Sequence, residues 1–148
     1  MDAEIPADRV DAWLRLLRTQ TALVEHLDGE LRAELGLSLK RYDVLMQLRT
    51  APRGLRLNQL ADAVVLSRSG LSHLIDRMEA DGLIERRESP EDGRGAVAVM
   101  TPAGRRLVNR ARRLHHESVH RLFTAHLSDG DVAALKRIFG RVAAALPR

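Results

Sequence analysis

Leu60-Ala61-Asp62-Ala63-Val64-Val65-Leu66-Ser67-Arg68-Ser69-Gly70-Leu71-Ser72-His73-Leu74-Ile75 decides the fold of this chain. Two helices that meet near a right angle need a small residue where they cross, and Ala61 supplies it. Leu60, Val64, Leu66, Leu71 and Leu74 stand at the spacings that fill the angle between them, the pattern of a helix-turn-helix. Val65 departs from that pattern, because many such turns carry a glycine there. Ser67 is read as the cap of the second helix, about 68 to 81, with Leu66 and Leu71 as a hydrophobic staple around it. Leu71, Leu74, Ile75 and Met78 then face inward. Arg68, Ser69, Ser72, His73 and Arg77 are left facing outward. These types donate to base edges or phosphates, and they gather near the helix N-terminus, where recognition helices touch DNA. Gly70 inside a helix costs about 1 kcal/mol relative to Ala, so a close approach is expected there, either of DNA or of the protein's own packing.

Outward from this unit the chain reads as alternating elements. An apolar stripe of Val10, Trp13, Leu17, Val24, Leu27 and Leu31, interrupted by Gln20, predicts a helix over about 8–35, closed by Gly36. Ser38 caps a second helix, about 39–50, with Leu37 and Tyr42 as its staple. Pro52 and Gly54 break the chain. A short helix near 57–64 follows, capped by Arg56 or Asn58. Gly82 ends the helix after Ser67. Residues 83–88 and 96–100 read as two strands joined by the polar turn Ser89-Pro90-Glu91-Asp92-Gly93-Arg94-Gly95. Thr101-Pro102 opens a helix that runs to about 125, with Leu107, Ala111, Leu114, Ser118 and Leu122 on one side. Ser128 with Asp131 opens the last, striped by Val132, Leu135, Phe139, Val142 and Leu146.

The expected fold class is mainly α with a small β-hairpin wing: a winged helix-turn-helix lobe over 37–101, with a helical dimerisation region made of 1–36 and 102–148. The terminal stripes have no obvious partner inside so small a lobe, and amphipathic helices bury their stripe against something. A two-fold homodimer built from both ends is expected, the alternative being an ordinary intramolecular bundle.

Composition narrows the partner. Net charge is +4, and residues 53–113 hold twelve arginines against eight acids while the rest of the chain is balanced. A basic middle suits duplex DNA. Arg94, near the hairpin tip, is placed to enter a minor groove, with Asp92 to hold it or the turn. The chain has no cysteine, which removes disulfides and thiolate metal sites. No apolar run reaches the roughly 20 residues of a membrane span, and the acidic start Met1–Pro6 lacks a signal-peptide pattern, so a cytoplasmic location is expected and no membrane partner. No nucleophile–base pair, phosphate-cradling glycine loop or carboxylate pair points to an enzyme or a cofactor.

Leu57 to Gly104 closely resembles the MarR family of bacterial transcriptional regulators. The resemblance is carried by Leu60-Ala61, Leu66 to Gly70, Leu74 to Glu79, Gly82 to Arg86, Asp92 to Gly95, and Met100 before Thr101-Pro102-Ala103-Gly104. The order and length of the flanking helices extend it over nearly the whole chain. It implies a homodimer whose recognition helices and wings straddle a pseudo-palindromic operator, Arg94 as the minor-groove arginine and Asp92 as its organiser. It also implies a repressor released by a small ligand, often an aromatic or phenolic acid, bound between the dimer helices and the DNA-binding lobe. Trp13 and Tyr42 are candidates to line such a pocket, or plain core. His115, His116 and His120 with Glu117 form a histidine patch. His116 and His120, one turn apart, are the weak candidates for a metal, with His26 or Glu30 as further ligands, but no metal site is assigned. A constitutive or metal-responsive regulator, and a helical module whose winged helix contacts protein, stand as alternatives.

Overall fold

The computed structural model describes residues 4–89 and 95–147. The helices are α1 (Ala7–Leu35), α2 (Leu39–Arg49), α3 (Leu57–Ala63), α4 (Leu71–Ala80), α5 (Pro102–Leu122) and α6 (Asp129–Ala145). Strands β1 (Ile84–Glu88) and β2 (Ala96–Met100) lie between α4 and α5. The chain separates into two compact units, Met1–His115 and His116–Arg148.

The first unit holds the main core. Leu31, Leu37, Leu45, Leu48, Leu60, Ile75, Met78, Ile84 and Val108 are each at most 1% exposed. They come from every helix of the unit and from β1, so one apolar cluster binds the elements together. The stripe on α1 is buried only in its second half. Leu31 is sealed, Val24 and Leu27 are half-buried, and Val10, Trp13 and Leu17 remain exposed.

Local chemistry sets the ends of the elements. Gly36 adopts φ 62°, and the N–H groups of Gly36 and Leu37 return to the carbonyls of Arg32 and Leu31, closing α1 in the left-handed manner that favours glycine. The Ser38 hydroxyl accepts from Arg41 N–H at 3.2 Å, and Asp28 of α1 accepts from Leu39 N–H at 2.8 Å. Two of the first-turn donors of α2 are thereby paired. Leu37 and Tyr42 are both buried at the staple positions. At α3 the cap is Arg56, a poor residue for the position, because Gln59 Oε1 reaches back to accept the Arg56 N–H at 2.9 Å. Thr101 accepts from Gly104 N–H at 3.1 Å and donates to Gly82 O at 2.6 Å, tying the start of α5 to the end of α4.

The strands pair antiparallel, Ile84 with Met100 through Glu88 with Ala96. Leu55 adds a bridge on the other edge of β2, exchanging hydrogen bonds with Ala98 at 3.0 and 2.8 Å. Gly54 makes this possible. Its φ is 87°, and a Cβ there would lie 2.7 Å from Ala98 O. The bridge was not expected from sequence, since nothing local to Leu55 marks it as a strand.

The second unit comprises the end of α5, a 3-10 turn (Thr124–His126) and α6. The α-helix stops at Leu122, a few residues short of the expected 125. Ser128 and Asp131 form a reciprocal capping box at the start of α6. The hydroxyl and N–H of Ser128 both donate to Asp131, which holds its carboxyl below the ordinary aspartate range.

Candidate nucleic-acid interface

The start of α4 differs from the expectation in a way that bears on the site. The helix begins at Leu71, and its cap is Gly70 at φ 72°, not Ser67. The Ser67 hydroxyl accepts from Ser69 N–H at 3.1 Å. This closes a local turn that competes with helix. Leu71 N–H bonds to Arg68 O and Leu74 N–H to Gly70 O. Gly70 is therefore not a mid-helix glycine. A Cβ there would meet nothing within 4 Å, so close packing is not its reason. The left-handed backbone is.

Arg68 and Ser69 consequently ride on the turn, while Ser72, His73 and Arg77 ride on the helix. All five are exposed. The buried face of α4 is Leu71, Ile75 and Met78, with Leu74 half-buried. Arg68, Ser72 and His73 border an open groove of about 660 Å³, together with Asn58 and Ala61 of α3. Asn58 belongs to this polar surface although its sequence context suggested only a helix cap. Arg68 reaches Asp62 of α3 at 3.3 Å, and both side chains are largely solvated, so the pair holds the guanidinium loosely.

The turn between α3 and α4 needs no glycine at Val65, because among the described residues no non-glycine residue has positive φ. Val65 itself is 84% exposed. What shapes this turn is Asp43 of α2. It is 8% exposed, and its Oδ2 accepts from both Val65 N–H and Leu66 N–H at 2.8 Å. Sequence reading missed Asp43, because an aspartate on a helix ordinarily reads as a solvated residue and its partners are backbone amides over 20 positions away.

The wing is tied to α4 through Arg86. Its guanidinium donates to Asp76 at 2.7 Å and Glu79 at 3.1 Å, and its N–H donates to Glu79 at 3.0 Å. The hydrogen bond to Asp76 is the main cause that raises its pKa above the usual arginine value; desolvation opposes it, and the charges of Glu79 and Asp76 and the hydrogen bond to Glu79 add to the rise, so the guanidinium is charged at any working pH. At the wing's base Arg56 donates to Ser89 at 3.4 Å, and Ser89 N–H bonds to Gly95 O at 3.2 Å. Asp92 and Arg94 lie outside the described residues.

Trp13 and Tyr42 stand in different surroundings. Trp13 is 57% exposed, whereas Tyr42 is 6% exposed with its ring 4.6 Å from that of His115. A separate cavity of about 490 Å³ lies between α1, α2 and the turn before α4, lined by Gln20, Val24, Arg32, Lys40, Leu66 and Leu74 among others. It is bordered by neither aromatic. His116 is exposed, and His120 Nδ1 lies 2.9 Å from Thr124 Oγ1. Among the described residues no group of three or more His, Cys, Asp or Glu side chains could hold a metal ion, and no helix is long and apolar enough to cross a membrane.

A crossed helix pair with an outward polar face, followed by a hairpin buttressed on the second helix, defines a winged helix-turn-helix protein. Comparison with known proteins gives the family. The MarR family model matches residues 35–95. AbsC, a MarR family transcriptional regulator from Streptomyces coelicolor, is 30% identical, with a TM-score of 0.86 over 95% of this chain and 95% of its own. A second MarR family transcriptional regulator from that organism, crystallised in complex with DNA, superposes with a TM-score of 0.90 at 29% identity, covering 100% of this chain and 93% of that one. An uncharacterized HTH-type transcriptional regulator from Bacillus cereus is 31% identical over 99 residues, 67% of this chain and 64% of the relative. The match thus spans just under two thirds of that curated relative's length. The chain belongs to the MarR family of transcriptional regulators.

Proposed function

We propose that this chain is a homodimeric, sequence-specific transcriptional repressor, acting in the cytoplasm on a pseudo-palindromic operator in duplex DNA. The exposed polar face carries this reading: Arg68, Ser72 and His73 border an open groove, with Ser69 exposed beside Arg68, on the helix that the wing buttresses and the turn that leads into it. In this reading those four side chains meet the major groove, and Arg77 meets the backbone. Arg94 enters the minor groove beside it, and Asp92 organises the wing tip. The lobe over 37–101 reads DNA, and the two ends of the chain dimerise. The similar Streptomyces regulator crystallised with DNA supports the partner class.

A small-molecule effector, an aromatic acid, releases the repressor. The cavity between α1, α2 and the α3–α4 turn is the place for it, because its walls include Leu66 and Leu74, which belong to the reading unit, and the cations Arg32 and Lys40. A molecule wedged there bears on the turn that presents Arg68.

The test is enrichment of duplexes from a randomised pool by the purified protein, followed by titration at fixed salt. The expected product is an inverted repeat with half-sites about one helical turn apart. Arg94→Ala should weaken the enriched duplex at its A·T-rich flank, and unchanged binding would remove the wing arginine from the site. If no duplex is enriched over a scrambled one, the chain does not read sequence.

A further inference from the structure

The α3–α4 turn is held from one side. Val65 and Leu66 turn their N–H groups inward, and both donate to a single oxygen, Oδ2 of Asp43, at 2.8 Å each. The other oxygen, Oδ1, accepts from Gln47 Nε2 at 3.2 Å. One helical turn earlier on α2, Lys40 Nζ donates to Ser69 O at 3.2 Å. Helix α2 therefore grips the segment at its entrance, through a buried carboxylate, and at its exit, through an exposed ammonium. Between the two grips lie Ser67 and Arg68, both exposed.

We propose that Asp43 is a positioning residue for DNA recognition: it sets where the turn carrying Arg68 and Ser69 stands relative to α4. The proposal rests on the reading that this face meets DNA. From Val64 to Ser69 no residue is left-handed, and Gly70 adopts that conformation only where the turn meets α4, so the bonds made by the backbone of this stretch decide its course. Buried N–H groups must be paired, and bonds to a carboxylate are stronger than neutral ones. Among the described residues, Asp43 supplies the shared acceptor for both amides from a helix that does not itself present a residue to the groove. A displacement of the turn of even an ångström would carry Arg68 and Ser69 away from base-edge hydrogen-bonding distance, which spans only a few tenths of an ångström.

The experiment compares Asp43→Ala, Asp43→Asn and Lys40→Met with the unaltered full chain. The probes are the duplex that the unaltered protein enriches from a randomised pool and a scrambled duplex of the same length. Asparagine keeps a carbonyl oxygen for the two amides, and its own amide can donate to Gln47 after a flip; alanine offers nothing. Asp43→Ala should bind the enriched duplex at least about tenfold more weakly, ~1.4 kcal/mol, with the scrambled duplex nearly unchanged. Asp43→Asn should stay within about threefold, ~0.6 kcal/mol, and Lys40→Met should fall between. Hydrogen exchange at the Val65 and Leu66 amides of the unaltered protein provides a check that survives a failure of Asp43→Ala to fold. Both should be protected, and exchange as fast as in an open turn would overturn the proposal. So would an Asp43→Ala protein that still discriminates the duplexes as well, or one that loses both equally with its melting transition. Failure of the DNA reading shows differently, as no enriched duplex for the unaltered protein, and it would take this proposal with it.

Discussion

Gly104 stands in the first turn of α5, where a Cβ would overlap the carbonyl oxygen of Leu83 and crowd Met100. The obstacle is backbone, which cannot swing aside as a side chain can. Gly104→Ala should therefore destabilise the protein by about 1–3 kcal/mol, read as a lower urea midpoint at unchanged slope. A neutral result would mean that α5 can lift off the loop before β1. Tyr42 offers a second residue-scale test, because it is the only tyrosine. Burial pushes its phenol above the ordinary value of 10.0; Arg112 and Arg49 pull the other way and are outweighed, while Asp43 adds to the rise. The folded chain thus holds the phenolic proton to higher pH than the unfolded chain. This contribution to stability is fully present below pH about 10 and is lost as pH rises through the folded value. Phenolate absorbance should titrate above 10 in the native protein and near 10 in denaturant. A native midpoint at or below the denatured one would contradict the burial. The residues that sequence could name were those whose type announces a task, such as the helix cap Ser38. Asp43 escaped because its task depends on where two distant amides fall.

At the scale of elements, periodicity located the helices well. Apolar spacing is a property of neighbouring residues and survives without a tertiary context. The boundaries were harder. Ser67-Arg68-Ser69-Gly70 offers two ways to begin α4, and the choice fell to a Ser67–Ser69 turn ahead of a left-handed Gly70. The Leu55–Ala98 bridge joins segments over 40 residues apart, so no window around Leu55 could reveal it. Arg86 of β1 forks onto Asp76 and Glu79 of α4 and so helps to hold the wing against that helix. These side chains are 38–58% exposed, so the pairs contribute about 1 kcal/mol or less to stability. Arg86→Ala should accordingly shift the unfolding midpoint slightly, while lowering affinity for the enriched duplex several-fold as the wing loses its orientation. Equal loss in both measurements would show that the fork serves stability alone.

For the whole molecule, the uncovered apolar surface is the main fact. On α1, Val10, Trp13, Leu14, Leu16 and Leu17 are 37–57% exposed, and on α6, Val132, Ile138, Phe139 and Val142 are 39–53% exposed, with Leu146 just after it at 64%. On each helix taken by itself, large exposed apolar side chains are the kind that mark interaction surfaces, and burying them at about 25 cal/mol per Å² is a strong incentive to associate. Sedimentation of the unaltered chain at micromolar concentration should show a dimer. Phe139→Asp, which places a charge in the stripe of α6, should shift it to monomer and weaken the enriched duplex by losing one half-site. A monomer for the unaltered chain would end the dimer reading.

The amino-acid sequence by itself determined the order of helices and strands, the caps at Gly36, Ser38, Thr101 and Ser128, and the outward polar set on α4 and the turn before it. Each of these follows from interactions within a few residues. Only the tertiary structure decided that a buried Asp43 holds the α3–α4 turn, that Arg86 ties β1 to α4, and that Trp13 and Tyr42 stand in different surroundings. Hydrogen bonds and ion pairs are short-ranged and directional. Which groups meet is therefore settled by how the whole chain packs, and the helix-turn-helix acquires its shape from a residue outside it.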